Sequence, residues 1–340
     1  MASIQTAAQA SPYPKSERFA GVQWDFGTNL LLAEGSDQWP MTQAKDGNLY
    51  GAWGDGWGWT KDDEKRSIGV TRIEGNPPDL VGTDLWGAGP GSGFAKPEAL
   101  IAIRNELFLF YTSGKSKDYS ANTHLARSPD LGKTWTLSET RAFPDQPDGF
   151  RVRGICQFGP GYEGTRDEYV YVYFGFNFAN DLFLARVSAS RITHSDRYEW
   201  YAGTRTSGKP AWTKSFEAKT PVFSDANGSA WHVGVSYHPG LKRYFLCKPH
   251  FTEVDDREAA FADPGIASLG IFDAPEPWGP WTTVVYEDEF LDGLHKFSYF
   301  MPPKYFGEDD RSFWLVWSGW PEYDAIMLTQ GQLIAEDIIR

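Results

Sequence analysis

The chain has 340 residues, 45 of them acidic and 32 basic, for a net charge of −13. That sign repels a phosphate backbone and an anionic bilayer, so nucleic acid is excluded as a partner and a neutral glycan is favoured over an anionic one. No apolar run approaches the ~18 residues of a membrane span, which excludes membrane insertion through a helix.

Residues 1–18 are rich in Ala, Ser, Gln and Pro and lack an apolar signal core, so they read as a flexible arm. Residues 19–340 read as a single all-β domain. Apolar runs of about four to eight residues, bounded by Gly, Pro, Asp and Asn, predict strands at 47–53, 67–73, 98–103, 106–112 and 124–128. Further strands are predicted at 169–174, 182–187, 231–237, 243–248, 267–273 and 313–317. Tight-turn segments such as AKDGNLY, IRNELFLF and HPGLKRYFL join neighbouring strands as antiparallel meanders. Three segments, ALIAIRNELFLFYTS, HVGVSYHPGLKRYFLC and YFMPPKYFGEDDRSFWLVWSG, repeat one plan of apolar strand, turn and aromatic strand. A radial array explains the repeat, and the length accommodates five four-stranded antiparallel blades of ~60 residues. SPDLGKTW at 128–135 fits the Asp-box turn of propeller blades, a fold signal of peripheral position in which Asp130 accepts turn amides.

The densest chemistry lies in SDQWPMTQAKDGNLYGAWGDGWGWT at 36–60. Asp46 reads as a turn cap. Asp37 and Asp55 fall at the ends of strands that open on the channel, the second flanked by Gly54 and Gly56, and two carboxylates at one mouth are what glycoside cleavage needs. One must remain protonated as the acid while the other stays charged; which is which is open. Trp39, Trp57 and Trp59 are candidate sugar-stacking platforms, with Trp317 brought to the same mouth from the C-terminal region. Glu98 is a candidate third channel carboxylate, and Arg151, Arg153, Gln157 and His250 are candidates for holding hydroxyls or pairing with carboxylates. No metal centre is expected, because His238 and His250 belong to no ligand-spaced cluster, while the channel itself leaves room for a structural ion. Cys156 and Cys247 match no metal or redox spacing, and both pairing and burial as thiols remain open.

SDQWPMTQAKDGNLYGAWGDGWGW at 36–59, the Asp box at 128–135 and CQFGPGYEGTRDEYVYVY at 156–173 resemble the domain-of-unknown-function family 4185. The likeness continues through LFLARVSASRI at 182–192, PVFSD at 221–225 and YHPGLKRYFL at 237–246. Some members of that family are classed as glycoside hydrolase family 183. The resemblance implies a five-bladed propeller and endo-D-arabinanase activity on the D-arabinofuranosyl backbone of mycobacterial arabinogalactan and lipoarabinomannan. It also implies that Asp37 and Asp55 are the acidic pair and that the protein is secreted or periplasmic.

Three functions compete. A two-aspartate hydrolase working by inversion predicts carboxyl groups roughly 6.5–9.5 Å apart, whereas about 5 Å implies retention. A polysaccharide lyase requires a Tyr or His base with Arg151 or Arg153 neutralising a uronate. A non-catalytic glycan-binding propeller uses the same aspartates only to hold hydroxyls.

Overall fold

A computed structural model describes residues 3–5, 11–61, 64–91, 95–113, 120–229, 231–251, 256–258, 267–291, 295–319 and 324–336. After β1 (Ser3–Gln5) and the long β2 (Phe19–Leu32), the chain builds a first antiparallel sheet from β3 (Met41–Gln43), β4 (Leu49–Gly56), β5 (Arg66–Asn76) and β6 (Asp79–Pro90). The second sheet holds β7 (Ala95–Ile103), β8 (Glu106–Ser113), β9 (Thr123–Ser128) and β10 (Thr136–Leu137). The third runs from β11 (Arg151–Gln157) through β12 (Tyr169–Gly175), β13 (Asp181–Ser188) and β14 (Glu199–Thr204) to β15 (Pro210–Thr213), with β16 (Pro221–Ser224) added on β13. The fourth comprises β17 (Gly234–His238), β18 (Arg243–Lys248), β19 (Leu269–Ala274) and β20 (Thr282–Glu287). The last contains β21 (Lys296–Phe300), β22 (Ser312–Gly319) and β23 (Ile326–Ala335), and β2 returns from the N-terminus to pair with β23 and complete it. The fold is therefore a five-bladed β-propeller closed by its first long strand.

Each blade is covered on both faces by its neighbours, which is why β7 and β8 are buried along almost their whole length and read as apolar runs without strict alternation. β3, β7, β11, β17 and β21 are the innermost strands, and residues from all five line one axial cavity. There β11 runs parallel to β17, with Cys156 opposite Val235. The approach leaves no room for a side chain at Gly154, where a Cβ would stand 2.1 Å from the Val233 carbonyl oxygen. All five inner strands point the same way, so Asp37, Lys96, Arg151, Trp231 and Lys296, at or just before their starts, share one end of the channel.

Two expectations change and one open alternative is decided. Residues 11–18 are docked: the Tyr13 ring packs on Phe223 and Phe272 with centroids 5.0 and 5.9 Å away, and Ser16 N–H donates to Thr283 O at 2.8 Å. This segment covers the outer edge of β20, where unpaired backbone groups would otherwise be exposed. The third blade exceeds four strands. Cys156 and Cys247 are buried free thiols.

Candidate active site

Asp37 and Asp55 come together through the first blade. Asp37 precedes β3 and pairs by two 3.0 Å backbone hydrogen bonds with Gly54 on β4, which places Asp55 beside it. From the second blade, Lys96 reaches both carboxylates, touching Asp55 Oδ2 closely and Asp37 Oδ2 at 3.5 Å. Gly54 makes this convergence possible, because a Cβ there would meet Asp37 Oδ1 at 2.8 Å and Lys96 at 3.2 Å. The glycine thus admits protein groups at the position where the sequence suggested close approach of a ligand. Because one ammonium reaches both acids, their Oδ2 atoms lie within about 6 Å of each other, between the roughly 5 Å of a retaining pair and the 6.5–9.5 Å of an inverting one.

Burial lifts the Asp55 pKa above the ordinary carboxylate range, with the Asp37 charge adding to the rise and Lys96 opposing it. Burial alone would pull Lys96 down, but Asp37 and Asp55 more than offset it and its pKa is raised. Asp324, between β22 and β23, belongs to the same electrostatic cluster; burial first and the Asp37 charge second push it up to about 6. Its carbonyl accepts a bond from Gly35 N, two residues before Asp37. Backbone strain concentrates here as well: the non-glycine residues Gln38, Trp39, Asp55, Trp231 and Ser298 all have φ between 47° and 78°.

Around the axis a ring of hydrogen bonds ties four blades together. With the Gln38 amide oriented to satisfy both ends, it donates to Pro97 O at 2.8 Å and accepts from Trp231 Nε1 at 2.9 Å. His232 Nε2 lies 2.9 Å from the same carbonyl, so it carries the proton, and Nδ1 accepts from Ser298 Oγ at 2.7 Å. Burial, then the Arg153 charge, depress the His232 pKa well below the usual imidazole range. Within the ring Glu98 faces Arg151 at 3.5 Å, Arg153 at 3.8 Å and His232 at 3.9 Å, all of them buried.

The aromatic candidates fare differently. Trp39 is fully buried, packed with Met41 and Trp53, and its Nε1 donates to Ser36 O at 3.0 Å. Trp59 packs edge-on to Trp39 and lies over Gly82 on the outer strand of its blade, while its amide is held by Asp84. Trp317 is wholly buried against Phe290. Trp39 and Trp317 therefore offer no face to a sugar, whereas Trp59 is part-exposed and turned toward the outer strand of its blade. Trp57, half-buried against Gly35, stays near the mouth, with Lys61 and Lys65 5.7 and 5.2 Å from its ring centre. Gln157 ends β11 at the opposite end of the channel and donates to Leu100 O at 3.0 Å. His250 is buried in the fourth blade, stacked 3.8 Å from Tyr286 and bonded to Asp288 at 3.0 Å. Neither reaches the pair.

The structure thus gathers Asp37, Asp55, Glu98, Arg151 and Arg153, and adds Lys96, Asp324, Gln38 and His232, which sequence reasoning missed. Lys96 carried no usable signal, since the irregularity between Pro97 and Ala99 breaks the strand alternation that would have assigned its face. Among the described residues no cluster of three His, Cys, Asp or Glu is arranged to hold a metal. The axial residues do not fit a cation either, because two guanidinium groups face one carboxylate there.

The family model described as "Domain of unknown function (DUF4185)" matches residues 94–329. That span includes Lys96, Glu98, Arg151 and Asp324 and begins after the Asp37–Asp55 segment. No curated protein matches the chain. Similar solved structures include a Bacteroides ovatus protein provisionally described as a hydrolase, with 12% identity, TM-score 0.56, and coverage of 96% of this chain and 93% of that one. The Bacillus subtilis arabinanase Arb43A matches at 12% identity and TM-score 0.51 over 88% and 95% of the two chains. A GH43_1 enzyme from Xanthomonas citri matches at 12% and 0.50 over 89% and 91%. At these identities the likeness establishes the fold and leaves the chemistry to the site.

Proposed function

The chain belongs to the DUF4185 family, and from the acidic mouth of its propeller we propose that it is a glycoside hydrolase acting on a polysaccharide, with Asp37 and Asp55 as its carboxylate pair. The observation that carries this reading is the convergence of both aspartates on the ammonium of Lys96 at one end of the channel. Asp55, the more exposed of the two and lifted in pKa by burial, is suited to protonate the leaving oxygen. Asp37, anchored through its backbone to Gly54, then serves as the anionic partner. Two routes fit this pair: Asp37 activates a water for direct displacement, the inverting route expected from the sequence, or it attacks the anomeric carbon itself and Asp55 later activates water.

The finer reading is endo cleavage of D-arabinofuranosyl linkages in a mycobacterial-type arabinan, outside the cytoplasm. It rests on the family resemblance of segment 36–59, and the arabinanase fold likeness is compatible with it. The lyase alternative loses its histidine option at the axis: both His232 nitrogens are engaged, so the imidazole beside the arginines has no free acceptor.

The test is product analysis of wild type, Asp37→Asn and Asp55→Asn on mycobacterial arabinogalactan, with the anomer of the first product followed by NMR. Arabinan oligosaccharides from wild type, and none from either variant, are expected. An inverted first product makes Asp37 the base that activates water, and a retained one makes it the nucleophile. If wild type releases nothing from this or any other neutral glycan, the hydrolase reading fails.

A further inference from the structure

Phe176 stands out on the mouth face of the third blade. Of the large apolar side chains among the described residues, only Val81 and Phe176 are exposed, and Phe176, at 44%, is the one aromatic. A single exposed apolar side chain is ordinary on a protein surface, so what matters is where this one is held and how firmly. β12 runs antiparallel to β11 with Gly175 opposite Arg151, so Phe176 leaves the blade at the end of the channel where Asp37 and Asp55 stand.

The loop that carries it is fixed from several sides. Phe178 N donates to Ser229 O at 3.1 Å, Ser229 N to Ala179 O at 3.1 Å and Asp225 N to Asn180 O at 3.0 Å. The Asn177 side-chain oxygen accepts from Arg153, and the Phe178 carbonyl accepts from Arg257. On either side of Phe176 the rings are packed: Phe174 lies 4.8 Å from Trp200 and Phe178 lies 5.8 Å from Phe251. Phe176 rests at a steep angle on the buried Phe150, with centroids 5.2 Å apart, and keeps much of its own surface in solvent. A ring braced in this way loses little freedom on meeting a ligand, and the apolar C–H face of a sugar covers it without requiring a hydrogen bond.

Its place suits a polymer. The two acids belong to the first blade, and the third blade is not adjacent to the first, so a chain seated on the pair and crossing the axis meets Phe176 on the far side. Trp57, on the near side, already has Lys61 and Lys65 at its ring. We propose that Phe176 is a stacking platform for one sugar ring of a neutral polysaccharide, at a subsite across the channel mouth from Asp37 and Asp55. The platform presupposes that the pair cleaves a glycan, and it holds the chain away from the cleaved bond.

The experiment measures kcat, KM and Tm for wild type, Phe176→Ala, Phe176→Trp and, as a control at the opposite end of the propeller, Val81→Ala. Mycobacterial arabinogalactan and short arabinan oligosaccharides are the substrates. Phe176→Ala is expected to raise KM on the polymer about tenfold with kcat held, and to lose less on oligosaccharides too short to reach the third blade. Phe176→Trp should restore a low KM, and Val81→Ala should behave as wild type. A polymer KM in Phe176→Ala within about twofold of wild type overturns the platform, as does a fall in Tm and kcat without a rise in KM, which would mark a ring that only braces the loop. If wild type cleaves nothing, calorimetric titration of the same oligosaccharides decides: weaker binding by Phe176→Ala keeps the platform and abandons the catalytic pair, whereas equal or absent binding overturns both.

Discussion

Lys96 shows how much one residue changes the reading of its neighbours. Without it, Asp37 and Asp55 are two buried acids that repel each other; with it, their closeness is tolerated because a buried ammonium lies between them. Replacing Lys96 by Met therefore has a signed consequence. Removal of the cation lets burial and Asp37 raise Asp55 further, so the pH–activity profile is expected to move to higher pH while kcat falls by on the order of 10²-fold. Lys96→Arg should return the profile toward its original position. A lysine that merely braced the fold would lower Tm in the Met variant and leave the pH profile in place. The aspartates were legible in the sequence because glycines flank Asp55 at a strand end. Lys96 was not, because a lysine at the start of an apolar strand looks the same whether it faces solvent or a neighbouring blade. The tryptophans misled for a related reason: residue type gives apolar area but not direction. The positive φ of Trp39, at 51°, turns its ring into the core, where Trp53 also packs.

At the scale of elements, the Asp-box hairpin between β9 and β10 was read correctly down to its bonds. Asp130 accepts from Thr134 N at 2.9 Å, Thr134 Oγ1 at 2.7 Å and Ser128 Oγ at 2.9 Å, while Ser128 Oγ accepts from Gly132 N at 2.7 Å. These donors hold the Asp130 pKa down to about 2. Turn chemistry is local, so eight consecutive residues contain everything that determines it. The hairpin caps the end of its blade opposite the mouth, and Trp135 packs at a tilt on Trp86 of the preceding blade with ring centres 5.4 Å apart. Asp130→Ala is accordingly expected to lower Tm by a few degrees and to leave glycan turnover unchanged, measured by calorimetry and product release on the same sample. A matching loss of turnover would mean that blade packing at the rim reaches the mouth. What the sequence could not supply at this scale was the third blade's extra strands, since β15 and β16 are four residues each, too short for a clear periodicity, and β16 pairs with β13 instead of its neighbour in the chain.

Across the whole molecule, closure of the ring is the step that makes the other contacts hold. β23 would end the chain as an exposed edge; β2 covers it over Phe19–Leu32 and inserts Trp24 between Phe290 of the fourth blade and Phe313 of the fifth, with ring centres 5.2 and 5.7 Å away. This long-range pairing was invisible in the sequence, where only the start of the fold near Phe19 could be placed, because its partner lies some 300 residues further along the chain. Trp24 is completely buried, so Trp24→Ala leaves a cavity at the junction of the first strand with two blades. The expected cost is about 3–5 kcal/mol, read as a shift in the urea midpoint. Deleting residues 1–10 instead removes, among the described residues, the three-residue β1 from the free edge of β2, while Tyr13 and Ser16 remain docked on the fourth blade. That truncation should leave the midpoint nearly unchanged. If it destabilised the protein as much as Trp24→Ala, closure would depend on the sheet edge outside β2, and the β2–β23 ladder with its tryptophan would not be the latch that holds the five blades around the channel.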